Sequence, residues 1–134
     1  GIEDLDLSDV VSLNNGFLSE ADYEDLLWAT DIVVLFNAPV VLSNSSVALD
    51  ALRFGRASIS SNSAATENLD STRSIKVESP AEIGAAILKL VSDPRLREHL
   101  SKAAYDWAEE FNPDVVAGSL AELYTEAGKL IDAE

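Results

Sequence analysis

Apolar residues fall into short runs between polar turns in the first half of the chain, and into helical spacing in the second. Val10-Val11-Ser12-Leu13 predicts a short strand, closed by the turn Asn14-Asn15-Gly16. Ser19 then starts a helix as its N-cap, with Asp22 three residues on. Ala21, Leu26, Leu27 and Trp28 are its apolar positions. Glu20, Asp22, Glu24 and Asp25 form an acidic first half on the positive end of the helix dipole. Asp31 to Phe36 is apolar at alternate and intervening positions alike, the pattern of a parallel strand covered on both faces. A helix from about Ser46 to Phe54 stops at Gly55, Ala57 to Ser60 gives a weaker strand, and Ser74 to Val77 a last one.

From residue 79 the chain turns helical. Ser79-Pro80 is an N-cap with proline at the first helical position and Glu82 at capping-box spacing. Ile83, Ile87, Leu88, Leu90 and Val91 give that helix an apolar face. Asp93-Pro94 starts a second helix carrying Leu96, Leu100, Ala103, Ala104 and Trp107. Asn112-Pro113 starts a third, carrying Val116, Leu120, Leu123, Tyr124, Leu130 and Ile131. Trp28, Tyr105, Trp107 and Tyr124 sit at core-facing spacings and read as packing residues. Strand–helix alternation followed by three helices predicts an α/β fold: a Rossmann-like, mostly parallel sheet with flanking helices and a C-terminal helical tail over 79–134.

Composition narrows the function classes. A chain of 134 residues fits one domain, 1–134, and is long enough to bury a core without covalent staples. Nine basic residues against 24 acidic ones give a net charge of −15, which disfavours nucleic acid and anionic lipid as partners. That charge reads as a solvated acidic surface, with adaptation to high salt as the alternative. Without cysteine there is no disulfide, thiolate metal site or cysteine nucleophile. The run Ile32 to Phe36 is far too short to cross a bilayer, and no signal-like segment opens the sequence, so a cytoplasmic location is expected. The chain starts with Gly1 and has no Met, which fits either a segment cut from a longer chain or removal of an initiator Met.

Most catalytic constellations are missing. His99 is the single histidine, placed on a helix among charged neighbours, and no triad assembles around it. Neither a P-loop nor a G-x-G-x-x-G turn is present, and no Cys/His cluster offers a metal site. Asp31 precedes its strand and Asn37 follows it, so a receiver-type phosphoacceptor is excluded. The loop after the Ile32–Phe36 strand remains. Ligands of open α/β sheets bind beyond the carboxyl ends of the strands, and Leu42 to Ser46 falls there, leading into a helix N-terminus. Ser43, Asn44, Ser45 and Ser46 suit a phosphate or sugar hydroxyl; ordinary N-capping accounts for the same residues.

The sequence resembles the donor-binding C-terminal domain of GT-B-fold retaining glycosyltransferases. Asn15 to Ser19 is similar to that family's "G-(F/x)-V-(S/P)" turn, and Tyr23 to Leu35 to its helix ending "L-Y-x-x-A-D" with the strand that follows. Asp50 to Ser60 resembles "E-A-M-A-x-G-x-P-V-I-A", and Ala64-Ala65-Thr66-Glu67 resembles "G-G-x-x-E". Leu90 to Leu100 is close to "L-L-x-D-P-x-L-R-x-x-L", and Phe111 to Tyr124 to the family's terminal helix. The resemblance implies a donor nucleotide-sugar near Gly16, Phe17 and Leu18 at the base, Ser43, Asn44, Ser45 and Ser46 at diphosphate and sugar, Asp50 at the ribose, and Glu67 nearby. It implies retaining hexosyl transfer with no metal and no cofactor, the nucleotide-sugar being a substrate.

The departures are specific. In the E-x7-E element Leu42 stands at the first glutamate and cannot accept a hydrogen bond, while Asp50 keeps a carboxylate at the second. An unpaired sugar hydroxyl costs about 1–3 kcal/mol. Ser43 and Ser45 replace glycines, and Ala64-Ala65 replaces a glycine pair. Nothing matches the family's "G-R-x-x-x-x-K" element, nor its first two β-α units. A sheet edge is therefore expected to be exposed and to need a missing N-terminal portion, another protein chain or a second copy. The expectation is the donor-binding part of a hexosyltransferase, inactive alone. The alternative is a catalytically degenerate module serving binding or assembly.

Overall fold

The computed structural model describes residues 7, 9–37 and 45–131. In chain order the elements are α1 (Glu20–Ala29), β1 (Ile32–Leu35), α2 (Ser46–Arg53), β2 (Ala57–Ser61), β3 (Ser74–Val77), α3 (Pro80–Ser92), α4 (Pro94–Glu110) and α5 (Pro113–Ile131). A short 3-10 turn at Ala64–Thr66 links β2 towards β3. The strands form one parallel sheet in the order β1-β2-β3, with Ile32 opposite Ala57 and Ile59 opposite Ile75. The α/β architecture with a helical tail is the one the alternation predicts.

The predicted helix ends hold at atomic level. Ser19 Oγ accepts from the Asp22 amide at 3.2 Å and donates to the Asp22 carboxylate at 2.6 Å, so α1 starts where its cap lies. Asp93 Oδ1 accepts from the Leu96 amide at 3.0 Å, and Asn112 Oδ1 from the Val115 amide at 3.0 Å. α2 ends in a Schellman motif: the Arg56 amide reaches the Ala51 carbonyl at 2.8 Å and the Gly55 amide the Leu52 carbonyl at 2.9 Å. The motif needs a left-handed residue, and Gly55 supplies it at φ +58°. Ser79 differs: its hydroxyl donates to Glu82 Oε1 at 2.8 Å instead of capping an amide.

The core has two parts. Ala57, Ile59 and Val77 of the sheet pack with Ala86 and Leu90 of α3 and Leu100 of α4. Ala48 and Leu52 of α2 pack with Leu69 and Ala104, flanked by Leu35 and Trp107. Each fully buried leucine or isoleucine contributes about 1.5–3 kcal/mol from apolar burial. The five residues of β2 are all buried although three are serines, so their hydroxyls must find partners inside.

Four expectations need correction. Val10 to Leu13 forms no strand; Val10 lies in a turn closed on the Leu7 carbonyl, and Val10 and Leu13 are largely exposed. A strand exists only by pairing, and no described strand lies beside this segment. β1 is not covered on both faces: Val34 is exposed, and among the described residues β1 pairs with β2 alone, leaving one edge unpaired. Leu88 and Val91 of the predicted α3 face are exposed. Among the aromatic residues, Trp107 is half-buried and packs on Phe111, and Trp28 meets Phe54 edge-on at 5.0 Å while staying 63% exposed. Tyr105 of α4 is half-exposed, and Tyr124 is exposed on α5 together with that helix's apolar positions Val116, Leu120 and Leu123.

Candidate functional site

A cleft of about 570 Å³ lies where the α1 entry meets the start of α2. Gly16, Phe17 and Leu18 form one wall, Ser46, Val47 and Asp50 the other, and Tyr23 of α1 closes it with Ser19 and Glu20. Two segments far apart in sequence thus converge because α1 and β1 fold the chain back on itself. Gly16 is fixed by its amide, which donates to Asn14 Oδ1 at 2.8 Å, the Asx turn expected of that tripeptide. Phe17 is fully exposed at the cleft mouth.

The second wall depends on the start of α2. Ser45 is the N-cap, its hydroxyl accepting from the Ala48 amide at 3.4 Å, and its own amide donates to the Ala65 carbonyl at 3.0 Å. Ser46 therefore presents the first helical turn to the cleft, at the positive end of the dipole. Asp50 follows one turn later. Tyr23 Oη donates to Asp50 Oδ2 at 3.1 Å, which orients the carboxylate. Burial, then the Asp50 hydrogen bond and the Asp50 charge, push the Tyr23 hydroxyl above its ordinary pKa, so it stays protonated and a donor at neutral pH.

Glu67 stands elsewhere. It lines a second cleft, of about 540 Å³, with Asn62, Ser63, Ala64, Asp70, Ser71 and Lys76. The Ser45–Ala65 hydrogen bond is the tie between the two clefts. Ser43 and Asn44, with Leu42, lie outside the described residues. The structure thus brings Gly16, Phe17, Leu18, Ser46 and Asp50 together, puts Ser45 at the helix cap behind them, and sets Glu67 apart. Two residues given no role from the sequence acquire one: Tyr23 at the Asp50 carboxylate, and Lys76 in the second cleft. The sequence held no signal for either, since Tyr23 reads as an ordinary first-turn residue and Lys76 as one lysine of a short strand.

Chemically, the first cleft offers a carboxylate of set orientation, a helix N-terminus and an exposed aromatic ring. A carboxylate oxygen accepts from a vicinal diol, a helix N-terminus favours an anion, and an aromatic face suits a planar ring. Among the described residues that line it, none is basic. His99 is exposed on α4, away from both clefts. Among the described residues, no helix is long and apolar enough to cross a membrane.

No protein-family model matches the chain, and no curated protein matches it in sequence. Solved structures do match in fold. Sucrose-phosphate synthase from Thermosynechococcus elongatus superposes with a TM-score of 0.70 at 19% identity, over 99% of this chain and 33% of that one. HepE from Anabaena, solved in complex with UDP-glucose, gives 0.73 at 20% identity, over 93% of this chain and 35% of that one. The C-terminal domain of LpcC, a group 1 glycosyl transferase from Francisella tularensis, gives 0.65 at 21% identity, over 78% of this chain and 55% of that domain. The chain spans about a third of the first two proteins and about half of the third. Its fold is that of part of the C-terminal domain of GT-B glycosyltransferases.

Proposed function

We propose that the cleft between Gly16–Leu18 and Ser46–Asp50 binds the nucleoside diphosphate portion of a nucleotide-sugar, and that the chain is the donor-binding part of a hexosyltransferase. The observation that carries this reading is the convergence of the two segments on one cleft with Asp50 oriented by Tyr23. In it, Phe17 stacks the base, Asp50 accepts from the ribose hydroxyls, and Ser45 and Ser46 at the α2 N-terminus face the diphosphate. Ser43 and Asn44, which precede Ser45 in the sequence, are assigned to diphosphate and sugar, and Glu67 to the sugar side across the Ser45–Ala65 link. HepE, of like fold, was solved with UDP-glucose, which supports the substrate class. Transfer needs no metal or cofactor in this reading. It does need basic groups for the phosphates and an acceptor site, supplied by a further N-terminal portion or another chain at the free edge of β1, so these residues alone turn nothing over.

The cleft's lack of a basic side chain among its described residues favours a second reading, in which the module has lost catalysis and serves binding or assembly. Calorimetric titration of UDP, GDP, UDP-glucose and GDP-mannose separates the two. Saturable binding that falls about tenfold or more in Asp50→Ala is expected, since truncation leaves ribose hydroxyls unpaired. Absence of binding of all four would leave the assembly reading.

A further inference from the structure

A polar cluster at the carboxyl end of the sheet has no part in the nucleotide cleft. Lys76 of β3, half-buried in the wall of the second cleft, directs its ammonium across β2 towards the loop that follows it. Nζ donates to Ser60 Oγ, the Ser61 carbonyl and the Thr66 carbonyl, each at 3.1 Å, with Thr66 Oγ1 at 3.4 Å. Ser60 and Thr66 are fully buried. An ammonium has three donors, and these four oxygens occupy them all, which leaves none for a ligand anion. Thr66 Oγ1 donates in turn to the Ser61 carbonyl, so the loop closes on itself around the cation.

The cage connects to the nucleotide cleft through backbone. Ala65, next to Thr66, accepts from the Ser45 amide at 3.0 Å, and Ser45 caps the helix that carries Ser46 and Asp50. Ser61 Oγ accepts from the Asn37 amide at 3.0 Å, which ties in the end of β1. A lysine at a strand end ordinarily extends its head into water to keep its hydration. Lys76, half-buried, exchanges part of that hydration for four protein oxygens, and burial lowers its pKa against the opposing charges of Asp70 and Glu78. The contact that offsets this cost is one that fixes position.

We infer that Lys76 is a positioning residue, a tethered cation in an oxygen cage that holds the Ser61–Thr66 loop and, through the Ala65–Ser45 hydrogen bond, sets where Ser46 and Asp50 enter the cleft. Its effect on ligand rests on the nucleotide reading above; the cage and its hold on Ser45 do not.

Hydrogen exchange at the Ser45 and Thr66 amides tests the cage without any ligand. In Lys76→Met both amides are expected to lose protection about tenfold while Leu90 in α3 keeps its own. In Lys76→Ala, ammonium ion is expected to restore part of that protection and tetramethylammonium, too large for the cage, none. Lys76→Arg keeps the charge without the compact head; it is expected to fold with Ser45 less protected than in the wild type, and serves if the Met variant does not fold. Unchanged Ser45 protection in the Met or Arg variant, or no response of the Ala variant to ammonium, would overturn the inference. UDP affinity is expected to fall about tenfold in Lys76→Met. A wild-type chain that binds no UDP would sink the nucleotide reading alone, and the exchange result would still decide the cage.

Discussion

Asp50 is one methylene shorter than the glutamate the resemblance places at this position, and Tyr23 reaches it from α1. Ionising Tyr23 would put a phenolate beside a carboxylate in a partly buried place. Burial comes first among the causes that raise its pKa, and the Asp50 bond and charge add to it. A raised native pKa means that the contribution to stability is full below about pH 10, the unfolded value, and is lost as pH rises through the native value. Ultraviolet titration should find Tyr23 ionising above the ordinary tyrosine range, and lower in Asp50→Ala, where neither the hydrogen bond nor the charge remains. Identical titration curves for the two proteins would show that no such bond forms. The convergence of Gly16, Phe17, Leu18, Ser46 and Asp50 on one cleft follows the order of the motifs that carry them. The place of Tyr23 was not legible, since a hydrogen bond between α1 and α2 depends on how two helices cross, which spacing along one chain does not encode.

At the scale of elements, local chemistry predicts boundaries well and partners poorly. Ser19, Asp93, Asn112 and Gly55 end or start helices where their side chains or backbone freedom dictate. Gly55→Ala is expected to cost about 1–2 kcal/mol from the left-handed conformation, and more from crowding, because an added Cβ would meet Tyr105 Cβ at 3.2 Å. Urea unfolding midpoints measure it; an unchanged midpoint would argue against the Schellman end of α2. The same assay ranks the helices. Leu90→Ala, at a fully buried site, should cost about 2–5 kcal/mol. Leu123→Ala in α5 should stay within about 0.5 kcal/mol, because that side chain is largely exposed. Val10 to Leu13 and α5 carry strand and helix patterns equally clear in the sequence. Among the described residues one has no strand to pair with and the other no surface to cover, and periodicity is silent on both.

For the whole molecule, the charge of −15 and the partial span of its structural relatives set the terms. Mutual repulsion among surface carboxylates opposes the compact state and is screened by salt over about 10 Å at 0.1 M. Thermal stability should therefore rise with sodium chloride; a flat or falling Tm would mean that ion pairs such as Lys102–Asp106 outweigh the repulsion. Among the described residues, one edge of β1, Val34 and the apolar positions of α5 are left uncovered. The α/β class was legible because strand and helix periods alternate cleanly. The placement of Glu67 in a second cleft was not, since it follows from the path of the Ser61–Thr66 loop over the sheet end. The most direct measurement is amide chemical-shift mapping during titration with UDP. Saturable shifts concentrated at Gly16–Leu18, Tyr23 and Ser46–Asp50 are predicted. Shifts confined to the Asn62–Lys76 cleft, or none at saturating nucleotide, would contradict the assignment of the donor site.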